Sequence, residues 1–254
     1  MIEAPPQEPR ELDSKGGVRI ELVSRTFATK RGPVQALSNM SLRVAPREIL
    51  TVVGPSGCGK STLLELICGL QQPDAGVVES APAALMPQRD LLLPWLSALD
   101  NAALALRARG VGRDRARELA NPWLERFGLS GFEHERPAAL SGGMRQRVSF
   151  VRSLLAGKPV LALDEPFASL DALTRTDVQG WLERSLQAEP RTVVLVTHDV
   201  EEAVVLADHV VVMSARPGRA VAELAVDVPR PRKRTDPVVV ALREQALEAL
   251  GLGG

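Results

Sequence analysis

The chain contains no tyrosine, and aromatic residues make up only 3% of it, so each Phe or Trp in an unusual place is informative. It has just two cysteines, Cys58 and Cys68, close together in sequence. Neither reads as a disulfide partner or metal ligand, which fits a reducing cytosol. No charge of one sign dominates: 31 basic residues balance 31 acidic ones. Nucleic-acid binders usually carry a basic excess, so composition argues against such a partner. No apolar run reaches the ~18 residues needed to span a bilayer. The most apolar late stretch, 203–213, is interrupted by Asp208 and His209. Residues 1–17 hold Pro5, Pro6 and Pro9 with mixed charges and no apolar core, which excludes a signal peptide and reads as a flexible tail.

A length of 254 residues with 45% hydrophobic and 24% charged residues suits one large α/β domain, or one domain with an insertion. Alternation over 18–23 and two similar runs within 34–45 predict antiparallel strands with one wet face. Residues 48–53 read as a buried strand and 60–70 as a helix stopped near Gly69 and Pro73. The spacing predicts two helices over 97–127, with Ser97 and Asp100 as a capping box and Gly110 and Gly112 between them. A further helix is expected over 142–156, where Met144, Val148, Val151 and Leu155 recur at helical spacing. Continuous apolar runs at 160–163 and 192–196 predict parallel strands covered on both faces, joined by a helix over 170–187. Strand–helix alternation gives a doubly wound α/β core. The mostly helical block 86–155 breaks that rhythm and reads as an insertion, and a basic, Pro-rich stretch over 229–237 precedes a last helix.

Two segments offer backbone N–H groups to an anion. Gly54-Pro55-Ser56-Gly57-Cys58-Gly59-Lys60-Ser61, followed by Thr62, matches the phosphate-binding P-loop between a strand and a helix. Its glycines let the backbone fold around phosphates, Lys60 brings positive charge to them, and the Ser61 hydroxyl is a ligand for Mg²⁺. A tight turn with a surface lysine is the bland account, and the flanking strand and helix argue against it. Leu140-Ser141-Gly142-Gly143-Met144 is the second segment, at the head of another helix. Asp164 and Glu165 end the strand 160–163, where Asp164 suits the Mg²⁺ shell and Glu165 suits a general base for water. Paired solvated acids at a strand end are the alternative. His198, in Thr197-His198-Asp199, stands at the carboxyl edge of the next strand, where ligands of parallel sheets lie. A helix-capping Thr and Asp with an incidental His would look the same. His134 and His209 have no comparable setting.

With these motifs in order, residues 18–227 resemble the nucleotide-binding subunit of an ABC transporter. The matching elements are the P-loop, Gln88, the LSGGM signature, LALDEP, Ala168-Ser169-Leu170-Asp171 and His198. The resemblance implies a P-loop NTPase fold with a parallel-sheet core, an N-terminal antiparallel β subdomain and an inserted α-helical subdomain. The implied division is a tail over 1–17, an ATPase domain over 18–228 with the helical part at about 86–155, and a basic stretch with a C-terminal helix over 229–254. It also implies ATP and Mg²⁺ as ligands, and a head-to-tail dimer in which each ATP lies between one P-loop and the other copy's Ser141, Gly142 and Gly143. Gln88 would sense Mg²⁺ and the membrane partner, Asp171 would work across the dimer interface, and His198 would contact the γ-phosphate.

Two departures stand out. Met144 ends the signature where many members have Gln, away from the phosphate-facing Ser141, Gly142 and Gly143. The family usually stacks an aromatic ring, often Tyr, on adenine; here Phe27 is the candidate, with a plain core position as its rival. The apolar segment Arg89-Asp90-Leu91-Leu92-Leu93-Pro94-Trp95 reads either as helical-subdomain core or, with Leu93 and Trp95 exposed, as a docking surface for a membrane subunit. Docking is the expectation adopted. LLLPW, LSGGMRQR and the segment 214–218 are similar to importers of nitrate, sulfonate, taurine or thiamine precursors. The implied partners are a second copy, separate membrane permeases and, indirectly, a solute-binding protein, at the cytoplasmic face of the cell membrane. A DNA-repair or chromosome-organising relative would carry a long coiled-coil insertion, and no sustained heptads occur between Gln88 and Leu140. A translation-type relative would carry two such cassettes.

Overall fold

A computed structural model describes residues 16–168 and 170–252. The tail expectation for residues 1–15, and Ser169 of the segment 168–171, lie outside the described residues. Gly16 and Gly17, assigned to that tail from sequence, are instead held in the fold. The Gly16 carbonyl accepts from the Thr192 hydroxyl, and the Gly17 carbonyl accepts from the Ala81 amide.

The chain opens with a hairpin of β1 (Val18–Thr29) and β2 (Gly32–Val44), then β3 (Ile49–Val53), α1 (Lys60–Ile67), β4 (Ala75–Ser80) and β5 (Ala83–Met86). A helical block follows: α2 (Ala98–Ala108), α3 (Arg113–Arg126), a single 3₁₀ turn (Pro137–Ala139) and α4 (Gly142–Leu155). The remainder is β6 (Val160–Asp164), α5 (Ala172–Ala188), β7 (Thr192–Thr197), α6 (Val200–Leu206), β8 (His209–Met213), β9 (Ala220–Ala225) and α7 (Pro237–Ala249). The strands form an antiparallel sheet ordered β2-β1-β4 and a second sheet ordered β5-β6-β7-β3-β8-β9, parallel except for the last strand.

The apolar runs read as doubly covered strands behave that way, because successive side chains alternate faces. Leu161, Leu163, Val193 and Leu195 join the core beneath α2, α3, α4 and α5. Their neighbours Val160, Ala162, Val194 and Val196 join a second core with α1 and the antiparallel sheet. The sequence expectation lacked β4, β5, β8 and β9. All four are short; β4, β5 and β9 lie at sheet edges, and β5 and β9 are rich in alanine, which has little preference for strands. Helix α5 starts at Ala172 rather than residue 170 because Asp171 caps it, accepting from the Thr174 amide at 3.0 Å. Within the basic stretch, Arg232 alone is buried and donates to the carbonyls of Val204, Val205, Ala207, Val226 and Val228. Burial moves its pKa down to about 10.

The few aromatic rings are concentrated beneath the helical block. Phe150 of α4 lies 5.4 Å from Phe127 and 6.3 Å from Phe167, centroid to centroid, and is 1% exposed. Phe150→Ala is expected to cost about 3–5 kcal/mol in urea unfolding, as large-to-small changes in closed cores do. Leu173→Ser, at a site 81% exposed, should stay within about 0.5 kcal/mol in the same measurement.

Candidate nucleotide site

The carboxyl edge of the parallel sheet gathers most of the residues singled out by sequence. Beyond β3 the chain turns through Gly54 to Gly59 into α1. Gly59 has φ +110°, and a Cβ there would lie 2.7 Å from the Ala36 carbonyl oxygen, so both conformation and space require glycine. Lys60 is buried, and its ammonium donates to the carbonyls of Gly54 at 2.7 Å and Pro55 at 3.0 Å. Cys58 turns inward against the core, and burial raises its thiol pKa, so only its backbone is left for the loop's outer face.

A cavity of about 480 Å³ opens beside this loop, lined by Ser56, Gly57, Gly59, Lys60, Ser61 and Thr62, with Phe27, Gln88 and Glu165 across from them. Phe27 is half-buried on the cavity wall and is not a core residue. Its ring has the Arg25 guanidinium 5.0 Å from the centroid. Thr29, Val34, Ala36 and Arg216 also line the cavity and were missed. The first three were findable: Phe27 pairs with Val34 in the hairpin, and positions two apart share a face. Arg216 was not. Its Nε donates to the Gly57 carbonyl at 3.0 Å, and its segment is brought to the P-loop by the pairing of β8 with β3 and by the bridge of Gly218 to Leu37.

At the end of β6, Asp164 is buried and accepts a hydrogen bond from Ser61. Burial pushes its pKa up, and Glu165 beside it pushes the same way, against the opposing pull of Ser61 and Lys60. Ser61 hydroxyl, Asp164 carboxylate and Gln88 amide oxygen are hard donors of the kind Mg²⁺ takes. A divalent cation would also compensate the buried charge of Asp164. Glu165 has φ +46°, a left-handed conformation that costs a non-glycine residue energy and recurs at functional sites. Its amide donates to the Val196 carbonyl at 2.9 Å, fixing it to the next strand. Two groups converge on one oxygen, Oε2: Gln88 Nε2 at 3.2 Å and His198 Nδ1 at 3.3 Å. Among the described residues both contacts fall on Oε2, which leaves the other carboxylate oxygen for a further partner. Asp199 also caps α6, accepting from the Glu202 amide, so the capping account of Thr197-His198-Asp199 holds, and it leaves the His198 ring beside Glu165.

Ser141, Gly142 and Gly143 stand elsewhere. Ser141 caps α4, its hydroxyl accepting from the Met144 amide at 3.2 Å, and these three residues do not line the P-loop cavity. Asp171 is on the surface, its pKa lowered by hydrogen bonds from Thr174. The loop after Gln88 is rigidly braced. Arg152 donates to the carbonyls of Asp90 and Leu91, Arg145 pairs with Asp90 at 2.9 Å, and Asn101 bonds Leu93 in both directions. On that brace Trp95 is 66% exposed and Leu91 60%, which rules out a helical-core role for them, while Leu93 is half-buried.

The chain is similar to several known proteins. The ABC transporter family matches residues 37–168. The aliphatic sulfonates import ATP-binding protein SsuB 1 of Rhodococcus jostii is 47% identical over 221 residues, 84% of this chain and 86% of that protein. The taurine import ATP-binding protein TauB of Burkholderia pseudomallei is 44% identical over 225 residues, 85% and 86% of the two chains. The nitrate import ATP-binding protein NrtD of Synechococcus elongatus is 41% identical over 251 residues, 92% of each. A solved dimeric ATP-binding cassette, in a post-hydrolysis state with ADP and Pi, superposes with a TM-score of 0.76 at 26% identity, covering 84% of this chain and 100% of that one.

The raised pKa of Asp164 has a sign that can be checked. An acid whose pKa is higher in the folded state stabilises the fold below its unfolded pKa, and that stability is lost as pH rises through the folded pKa. Asp164→Asn removes the buried charge. Without nucleotide, the variant is therefore expected to melt above the parent near neutral pH. The gap should close as pH falls into the ordinary carboxylate range, which thermal melts across a pH series will show.

Proposed function

The chain belongs to the ABC transporter family, and from that membership we propose that it is the ATP-hydrolysing subunit of a multi-subunit importer. The observation that carries the reading is the separation of two anion-binding helix heads. Lys60, Ser61, Gln88 and Glu165 share one cavity, whereas Ser141, Gly142 and Gly143 stand outside it. A second copy placed head to tail would bring the missing head to the nucleotide, and the dimeric state of the related ADP-bound cassette supports this.

In this reading the P-loop amides and Lys60 hold the ATP phosphates, while Phe27 offers a ring face to the base. Ser61, Asp164 and Gln88 hold Mg²⁺, which neutralises phosphate charge when bound. Glu165 takes a proton from the attacking water through its unengaged oxygen, and His198 and Gln88 orient the carboxylate by holding Oε2. His198 also lies within reach of the terminal phosphate, and Asp171 faces the dimer contact. The braced Leu91–Trp95 surface docks on a membrane permease, which places the chain peripherally at the cytoplasmic face. Among the described residues no helix is long and apolar enough to cross a membrane. The names of the relatives support a small anionic cargo such as a sulfonate or nitrate, delivered by a solute-binding protein. The helices of the inserted block, 11 and 14 residues in α2 and α3, are too short for the coiled coil of a repair-type ATPase.

Glu165→Gln is expected to lower ATP turnover at least about 100-fold, the scale of a lost general base, and to accumulate an ATP-dependent dimer in size-exclusion chromatography. Turnover that survives the change would remove Glu165 from the role of base. Trp95→Ala should weaken capture of the permease at least about tenfold, as truncating a central aromatic anchor does, while ATP affinity holds. Undiminished capture would sink the docking surface.

A further inference from the structure

A second concavity, about 370 Å³, lies between α3 and α5, far from the P-loop in its lining residues. Its walls are aromatic: Trp123, Phe127 and Trp181 line it, so it holds two of the chain's three tryptophans. Phe127 and Trp181 meet at 5.1 Å between centroids. At the rim stand Arg126 and Arg184, both exposed. Neither is in an ion pair among the described residues, and the Arg126 guanidinium lies 5.3 Å from the centroid of the Trp123 ring. The one carboxylate at the rim, Glu189, is already paired with Arg191 at 2.8 Å. The hollow is thus apolar inside and positive at its edge.

We propose that this hollow binds a small amphipathic organic anion: a flat apolar body against the indole and phenyl rings, with one carboxylate or sulfonate held by the guanidiniums. The volume falls in the range of small-ligand pockets, which are mostly apolar with a few convergent polar groups. Aromatic walls select flat bodies, and the planar guanidinium fork selects oxyanions. The lining contains no phosphate-cradling glycine loop, so the hollow differs in chemistry from the nucleotide cavity. A ligand seated there touches α3 of the helical block and α5 of the sheet core together. From Phe127 the packed rings of Phe150 and Phe167 lead on to the loop that carries Glu165. Occupancy is therefore expected to change ATP turnover, a consequence that rests on the function proposed above, whereas binding itself does not.

The test uses the full chain carrying Trp95→Phe, which leaves Trp123 and Trp181 as its only indoles, titrated with 8-anilinonaphthalene-1-sulfonate. Saturable one-to-one quenching of tryptophan emission with energy transfer to the probe is expected. Adding Arg126→Gln and Arg184→Gln should weaken binding at least about tenfold, or roughly 1.4 kcal/mol, with the thermal melt unchanged because both side chains are exposed. The uncharged N-phenyl-1-naphthylamine should bind weaker by a similar factor. Lys60→Ala should leave the probe affinity intact, which separates this site from the nucleotide reading whatever becomes of that reading. Equal affinity in the double arginine variant, equal affinity for the uncharged probe, or loss of binding in Lys60→Ala would each overturn the proposal. Absence of saturable binding to the parent would also overturn it, leaving the hollow as a surface for another protein.

Discussion

In the ladder joining β6, β7 and β3, Asp164 lies opposite Val196 and Val53 opposite Thr197, so the three strands leave the sheet at one level. Everything chemical hangs from that register. Val53 leads into the P-loop, Asp164 into Glu165, and Thr197 into His198. Side chains alternate faces along a strand, so a slip of one residue would turn Asp164 away from Ser61 and exchange the apolar faces of two cores. The continuous Val, Leu and Ala runs prevent the slip, because both faces of each strand are already filled. The Glu165 amide adds a further tie to the Val196 carbonyl, which holds a left-handed residue in place where free chain would relax.

The charges at this edge are incompletely balanced by the protein's own groups. Lys60 is buried and donates to carbonyls of its own loop, while Asp164 is buried with its pKa raised. Burying charge is unfavourable unless partners compensate it. An anionic phosphate and a cation would supply those partners, one to each residue. The fold thus spends stability at the site that its ligands return on binding, which is how a nucleotide can alter the equilibrium between arrangements of the surrounding loops.

What was legible in the sequence was whatever local chemistry decides. The P-loop is written in glycines whose backbone conformation few other residues reach. Two helix starts were written in Ser97 and Ser141, each of which accepts from an amide three residues on, whereas the cap at Asp171 was not read. The buried strands β3, β6 and β7 announced themselves as apolar runs, although β8, equally apolar, was not read. Features decided by distant pairing were not legible. Arg216 reaches the P-loop because β8 pairs with β3 and residues 218 and 37 bridge, and Arg232 is drawn inward by the carbonyls around the end of α6. Strand β4 is mostly exposed and borrows its order from β1. Nothing within those segments specifies the partner.

Helix α4 is where the separate parts meet. Its first turn presents Ser141, Gly142 and Gly143; Arg145 and Arg152 grip the loop that exposes Leu91 and Trp95; Phe150 packs toward Phe167 beside Glu165. A helix of 14 residues with these attachments moves as a rigid body more readily than it bends. If a partner pushes on the loop, the arginines convey the displacement to α4, and the signature head shifts with it. The same push reaches Glu165 by two routes: through the packed rings of Phe150 and Phe167, and through Gln88, which heads the loop and donates to Glu165 Oε2 at 3.2 Å. A displacement of the loop therefore acts in two places at once, on the helix head at Ser141 through the arginines and on the Glu165 carboxylate through Gln88, so that, on the proposed function, closure of the second copy and the chemistry are coupled through one segment.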